Sequence, residues 1–153
     1  MHYFIDFITN PFIIATASAW FISQLAKLLI HWSVYKEFDI KRFVGDGGMP
    51  SAHSATVSSM ATFSGIYYGF GSFQFAICLV LAIIVCRDAV GVRMETGKQA
   101  KILNEIREYF DEIGKGTMND VKLKEFVGHT PLQVVVGFIL GMVVAAVCSL
   151  ILI

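Results

Sequence analysis

Residues 47 to 86 are forty consecutive positions without Asp, Glu, Lys or Arg. At about 1.5 Å of rise per helical residue, such a stretch is roughly twice what one membrane crossing needs, so it must cross, turn and cross again. The turn signal is Gly69-Phe70-Gly71-Ser72, which predicts spans from about Ser51 to Tyr68 and from about Phe73 to Met94. A further apolar run, Pro11 to Tyr35, carries Lys27 as its one charge, and Pro131 to Ile153 carries none. The expected fold is all-α: a single membrane domain over residues 1–153, built as an integral membrane bundle of four transmembrane helices, with loops at 36–50 and 95–130. The first span has no basic region before it and no small-residue cleavage site, so it is expected to be retained rather than removed as a signal peptide.

Composition supports lipid as the solvent. The chain is 56% hydrophobic and 16% charged, too polar-poor to clothe an ordinary soluble domain and too apolar to be disordered. Its 12 basic and 12 acidic residues cancel, so no basic field argues for nucleic acid. The three cysteines, Cys78, Cys86 and Cys148, lie in apolar runs and read as small hydrophobes. Loops 36–50 and 95–126 hold nine of the 12 Lys and Arg residues, which predicts both loops on the cytoplasmic side of the cell membrane. Trp32 and Tyr35 would then belong to the inner aromatic belt and Tyr67 and Tyr68 to the outer one. Ile102, Leu103, Ile106, Phe110 and Ile113 recur at helical spacing beside a stripe formed by Lys98, Lys101, Glu105, Glu108 and Glu112. They predict a cytoplasmic amphipathic helix between spans three and four, either lying on the membrane surface or serving as a solvated connector. Gly114 to Asn119 would break it, and a short helix over Asp120 to Val127 would lead into span four.

Two segments carry the chemistry: Gly47-Gly48-Met49-Pro50-Ser51-Ala52-His53-Ser54 and Gly128-His129-Thr130-Pro131-Leu132-Gln133. Each opens a membrane helix at the same face, with proline expected in the first turn and Thr130 as an N-cap. Two helix N-termini pointing the same way offer unpaired N–H groups and partial positive charge to an anion. Gly47 and Gly48 permit close backbone approach, and Ser51 adds a hydroxyl. A histidine at each helix start turns such a cradle into a reaction site, one attacking phosphorus and the other protonating the leaving oxygen. Gln133, one turn beyond His129, can fix the tautomer of that ring. Span three delivers Arg87, Asp88 and Arg93 to the same layer, where ionisable groups are costly and usually functional; Asp88 can equally serve as an ion-pair partner. Lys27 near Gln24 is a candidate phosphate ligand or a snorkelling anchor, and Lys41 and Arg42 are candidate ligands or anchors of the loop. His2 and His31 have no evident partner. Gly65-x-x-x-Gly69 and Gly137-x-x-x-Gly141 are spacings that let helices approach closely, within one chain or in a homodimer.

At these residues the chain resembles the divergent branch of the type 2 phosphatidic acid phosphatase superfamily, whose wider members include lipid phosphatases and vanadium-dependent haloperoxidases. The resemblance extends over essentially the whole chain and rests on residues 47–54, on Asp88 to Arg93 running on to Gly97-Lys98-Gln99-Ala100, and on Gly128-His129-Thr130-Pro131. It implies that His129 is the nucleophile that forms a phosphohistidine and that His53 is the general acid. The sequence departs from the superfamily pattern in lacking the Lys-x6-Arg-Pro motif, in having Leu123 where an Arg is usual, and in having Gln133 where an Asp is usual. Arg87, Arg93, Lys98 and Lys27 are the expected substitutes for the missing cations. The function expected is hydrolysis of a phosphate monoester or diphosphate carried on a lipid, without metal or other cofactor. A non-catalytic protein binding phosphorylated lipid or a protein partner through the same cradle is the alternative. A small transporter using Asp88 would leave the Gly and His motifs without a role.

Overall fold

The computed structural model describes residues 2–36, 48–113, 123 and 128–153. All regular structure among them is helical: α1 (His2–Ile8), α2 (Pro11–Tyr35), α3 (Ala52–Tyr68), α4 (Phe73–Val90), α5 (Val92–Glu112) and α6 (Pro131–Leu152). Asn10 caps α2, its side chain accepting from the Phe12 and Ile13 amides, and Pro11 fills the first helical position where no N–H is needed. Three of these stretches are long and apolar enough to cross a membrane: α2, α4 with its continuation into α5, and α6.

The remaining long apolar helix, α3, has 17 residues and spans about 25 Å at helical rise, slightly less than a hydrocarbon core of about 30 Å. It is the central element, buried by α2, α4 and α6 along Ala52, Ser54, Ala55, Val57, Ser58, Ser59, Ala61, Phe63, Ser64 and Gly65. All of these but Val57 and Phe63 are small, which is what allows three helices to surround it. In an apolar surrounding, packing and interhelical hydrogen bonds replace the hydrophobic effect as the cohesive force. Ser58 donates to the Phe138 carbonyl of α6 at 2.9 Å, and Ser59 to the Ala15 carbonyl of α2 at 3.1 Å.

The contacts fix the directions. Phe12, at the start of α2, stacks with Tyr68, at the end of α3, with centroids 5.2 Å apart, so these two helices are antiparallel. On the other flank of α3, Val57 and Ala61 meet Ala82, with Cys78, Val85 and Cys86 packed around them. Gly137 of α6 lies against the Ser51 backbone and Gly141 against Ala55 and Ser58; the register advances the same way on both, so α3 and α6 run parallel. Gly137 and Gly141 therefore pack α6 onto α3 within the chain. Gly65 faces Phe70 and Phe75, and Gly69 is the α3 C-cap at φ 88°, so that pair shapes the α3–α4 turn and not the α6 contact.

Two boundaries differ from the sequence reading. The third span is broken at Gly91 (φ −90°, ψ −82°), and the helix resumes at Val92. Pro50 lies outside the first turn of α3, because Ser51 is its N-cap. Helix α5 covers the amphipathic stretch: Gly97, Ala100 and Asn104 are buried, while Ile102, Leu103, Ile106, Phe110 and Ile113 are exposed. Asn104 anchors the return of the chain, donating to the Leu123 carbonyl at 2.9 Å and accepting from its amide at 3.0 Å. The expected break at Gly114–Asn119 and most of the short helix expected at 120–127 lie outside the described residues.

Candidate functional site

The parallel directions of α3 and α6 bring both helix N-termini, and the two histidines they carry, to one end of the bundle. The His53 and His129 rings lie 6.1 Å apart between centroids, at an angle of 61°. His53 is in the first turn of α3 and exposed; His129, just before the α6 N-cap, is only 4% exposed.

His129 is held from three sides. Its backbone N–H donates to the Ala89 carbonyl of α4 at 3.1 Å. Gly128, at φ 94°, has no room for a Cβ, which would come within 2.6 Å of the Met94 amide nitrogen, so the 128–129 turn is pressed onto the α4–α5 junction. The third restraint is Gln133. Thr130 and Gln133 form a capping box: the Thr130 hydroxyl accepts from the Gln133 amide, and Gln133 Oε1 accepts from the Thr130 amide at 3.1 Å. The same Oε1 is 3.2 Å from His129 Nδ1. A carbonyl oxygen only accepts, so the bond to Gln133 is one in which Nδ1 donates.

The backbone of Gln133 also ties the two helix starts together, its carbonyl accepting from the Ser51 amide at 3.0 Å. Ser51 is fully buried, and its Oγ accepts from the Ser54 amide and hydroxyl. Gly48, at φ 86°, lets the chain pass over Lys27, whose Cγ would be 3.2 Å from an added Cβ. Lys27 is 6% exposed, which makes it a cation of the site more than of the surface.

The other predicted ligands are arranged differently. Arg93 pairs with Asp88 at 3.0 Å with both side chains more than 40% exposed, and Lys98 pairs with Glu95 at 2.7 Å on the open face of α5. Arg87 is exposed near the end of α4. Arg42 and Gly47, like Lys41, lie outside the described residues. Sequence reading missed the Ala89 carbonyl, since a backbone acceptor on an alanine carries no residue-type signal.

Burial lowers the pKa of His129 below the ordinary histidine value. The charges of Lys27 and His53 act in the same direction, while the hydrogen bonds to Gln133 and the Gly48 backbone oppose it. In imidazole NMR, His129 is therefore expected to titrate below the ordinary histidine value of 6.5, staying neutral at pH 7, and Lys27→Met is expected to move the titration upward. A midpoint at or above the ordinary histidine value, unmoved in the variant, would show that neither burial nor Lys27 acts on this ring.

A model of the divergent PAP2 family matches residues 8–144, which takes in α2, α3, α4, α5, both histidines and most of α6. The chain is 30% identical to the uncharacterized membrane protein YuiD of Bacillus subtilis (strain 168), over 94% of this chain and 97% of that one. No solved structure matches. With three helices fit to cross a bilayer and a membrane protein as its relative, the chain is a multi-pass membrane protein, and it belongs to the divergent PAP2 family.

Proposed function

We propose that the protein is a membrane-embedded phosphatase that hydrolyses a lipid-linked phosphate monoester or diphosphate through a phosphohistidine. The observation that carries this reading is the His53–His129 pair, 6.1 Å apart, with Nδ1 of His129 engaged by Gln133.

In the first step His129 Nε2 forms a bond to phosphorus and the bond to the leaving oxygen breaks. That oxygen takes the electron pair and receives a proton from the His53 imidazolium. In the second step neutral His53 takes a proton from water, the water oxygen bonds to phosphorus, the N–P bond breaks, and phosphate leaves with both histidines restored. The first-turn amides of α3 and the Lys27 ammonium oppose the negative charge on the transferring group; one such donor is typically worth about 10²–10³-fold in rate. A cavity of about 430 Å³ between α2 and α3, lined by Phe12, Ile13, Thr16, Ala17, Trp20, Thr56 and Met60, supports a substrate with an apolar tail, since Thr56 is one turn beyond His53.

The test is phosphate release from lipid phosphates by the purified protein in detergent, with inhibition by vanadate. Gln133 is the observation that favours a second reading, a non-catalytic phosphate binder: a neutral amide orients an imidazole but does not stabilise its cation as a carboxylate would. Vanadate binding without phosphate release would select it.

In the same reading α3 is a fourth crossing, the site faces the cytoplasm, and α5 rests its exposed Ile102–Ile106–Phe110 stripe on the inner leaflet. A Gly47→Cys variant should then resist an impermeant maleimide in intact cells and react once the cells are opened. Labelling in intact cells would place the site outside.

A further inference from the structure

Along the first part of α3, from Ala52 to Ala61, only His53, Thr56 and Met60 reach the surface. At i, i+3 and i+7 they form one open stripe of the helix. The cavity of about 430 Å³ that Thr56 and Met60 line therefore starts one turn from the His53 ring, on the same stripe. Its opposite wall includes Ile13, Thr16, Ala17 and Trp20, which share one face of α2 at i, i+3, i+4 and i+7. Because the two helices are antiparallel, with the Ser59 hydroxyl on the Ala15 carbonyl setting their register, Trp20 stands at the histidine end and Phe12 at the far end. From Trp20 to Phe12 is eight residues, about 12 Å of helical rise, and with the turn from His53 to Thr56 the passage is about 16 Å deep. Its far end is fixed, since Phe12 packs on Phe63, Tyr67 and Tyr68 with centroids 5.0 to 5.2 Å away. A passage that begins beside a phosphate site and ends about halfway through a hydrocarbon core of about 30 Å matches one chain of a lipid in the leaflet nearest the histidines.

We propose that this passage holds a single hydrocarbon chain of the lipid phosphate bound at the histidines and reads its length, with Ala17 and Ile13 as specificity-determining positions. The inference rests on the phosphatase reading for the headgroup and narrows the substrate left open there. An extended hydrocarbon advances about 1.25 Å per carbon, from a bond of about 1.52 Å and an angle near 111°. Measured from the level of His53, Ala17 lies about 9 Å along the passage and Ile13 about 15 Å, so the chain meets them at about its seventh and twelfth carbons. Both are exposed, and the small side chain of Ala17 keeps the middle of the passage open. A bilayer lipid enters the passage as a separate molecule. The substrate's own chain is tethered to a headgroup already bound, and its entry is intramolecular, which favours it.

The experiment measures phosphate release from hexyl, decyl and tetradecyl phosphate by the full chain in mixed detergent micelles. Each variant is divided by wild type, so that partition of the chain into the micelle cancels. Ala17→Phe should spare hexyl phosphate and lower kcat/KM about tenfold for decyl and tetradecyl phosphate, mainly through KM, the scale of overpacking a close contact. Ile13→Trp should spare hexyl and decyl phosphate and lower only tetradecyl phosphate. The cut-off then moves with the obstruction, which damage to the fold would not produce, and Ile13→Trp carries the test alone if Ala17→Phe does not fold. Equal losses on all three substrates, or no loss on any, would mean that the passage holds bilayer lipid only, and would overturn the proposal. If wild type releases phosphate from none of them, the hydrolase reading fails, and binding of the three corresponding alkylphosphonates decides. The passage stands if the variants weaken binding by the same dependence on chain length, and falls if affinities are unchanged or lowered equally.

Discussion

His129→Ala is expected to lower phosphate release by about 10³-fold or more, the scale seen when a covalent nucleophile is removed. It should also abolish an acid-labile, base-stable label on the protein after brief exposure to a substrate carrying radioactive phosphorus. The side chain is nearly buried and its removal leaves the Ala89 and Ser51 backbone bonds in place, so the variant should fold and still bind vanadate, though more weakly. Release at the wild-type rate would remove His129 from the chemistry. Loss of release together with loss of the folded protein would be uninformative for alanine alone, so His129→Gln, closer in size and polar, serves as the paired variant. It should fold like wild type and be equally inactive, and activity in it would sink the mechanism.

The second large effect is structural. Gly141 lies against the Ala55 carbonyl and the Ser58 hydroxyl, with no space for a Cβ. Ser58 at the same point donates to the Phe138 carbonyl. Overpacking a close contact typically costs about 1–3 kcal/mol, and Gly141→Ala should fall in that range in reversible unfolding in detergent or bicelles. Gly141→Leu must separate α6 from α3 and should prevent recovery of a folded, vanadate-binding protein. Gly71→Ala is the matched control: a Cβ there meets nothing within 4 Å, and stability should stay within about 0.5 kcal/mol of wild type. A Gly141→Leu protein as stable as the control would mean that the two helices do not pack through this face.

Much of this arrangement was legible because apolar length and turn chemistry are local signals. The start of α2 at Pro11, the end of α3 at Tyr68 and the start of α6 at Pro131 follow from a proline, a glycine pair and a Thr-Pro cap. The meeting of His53 and His129 was legible too, since an odd number of crossings between two helix starts returns them to opposite faces and an even number to the same one. What the pattern hides is tertiary. Gly91 was read inside a continuous span because its neighbours are helix-compatible, yet the helix breaks there and the Gly128 turn packs against the resumed segment at Met94. The ion pairs of Arg93 with Asp88 and of Lys98 with Glu95, by contrast, are local, five and three residues apart. His31 looked isolated, but Tyr35 one turn on stacks against its ring, and Gly48 and Met49, seventeen or more residues away in sequence, line one cavity with it.

The junction at Gln133 divides its labour between side chain and main chain. The amide oxygen of the side chain sets the imidazole proton, whereas the carbonyl of the peptide unit fastens the opening of the third helix. Because the fastening ignores side-chain identity, the electronic character of this position is free to change without disturbing how the helices are joined. An acidic side chain and the neutral amide found here can be exchanged on a single scaffold, which makes the basicity of the histidine adjustable independently of the architecture that carries it.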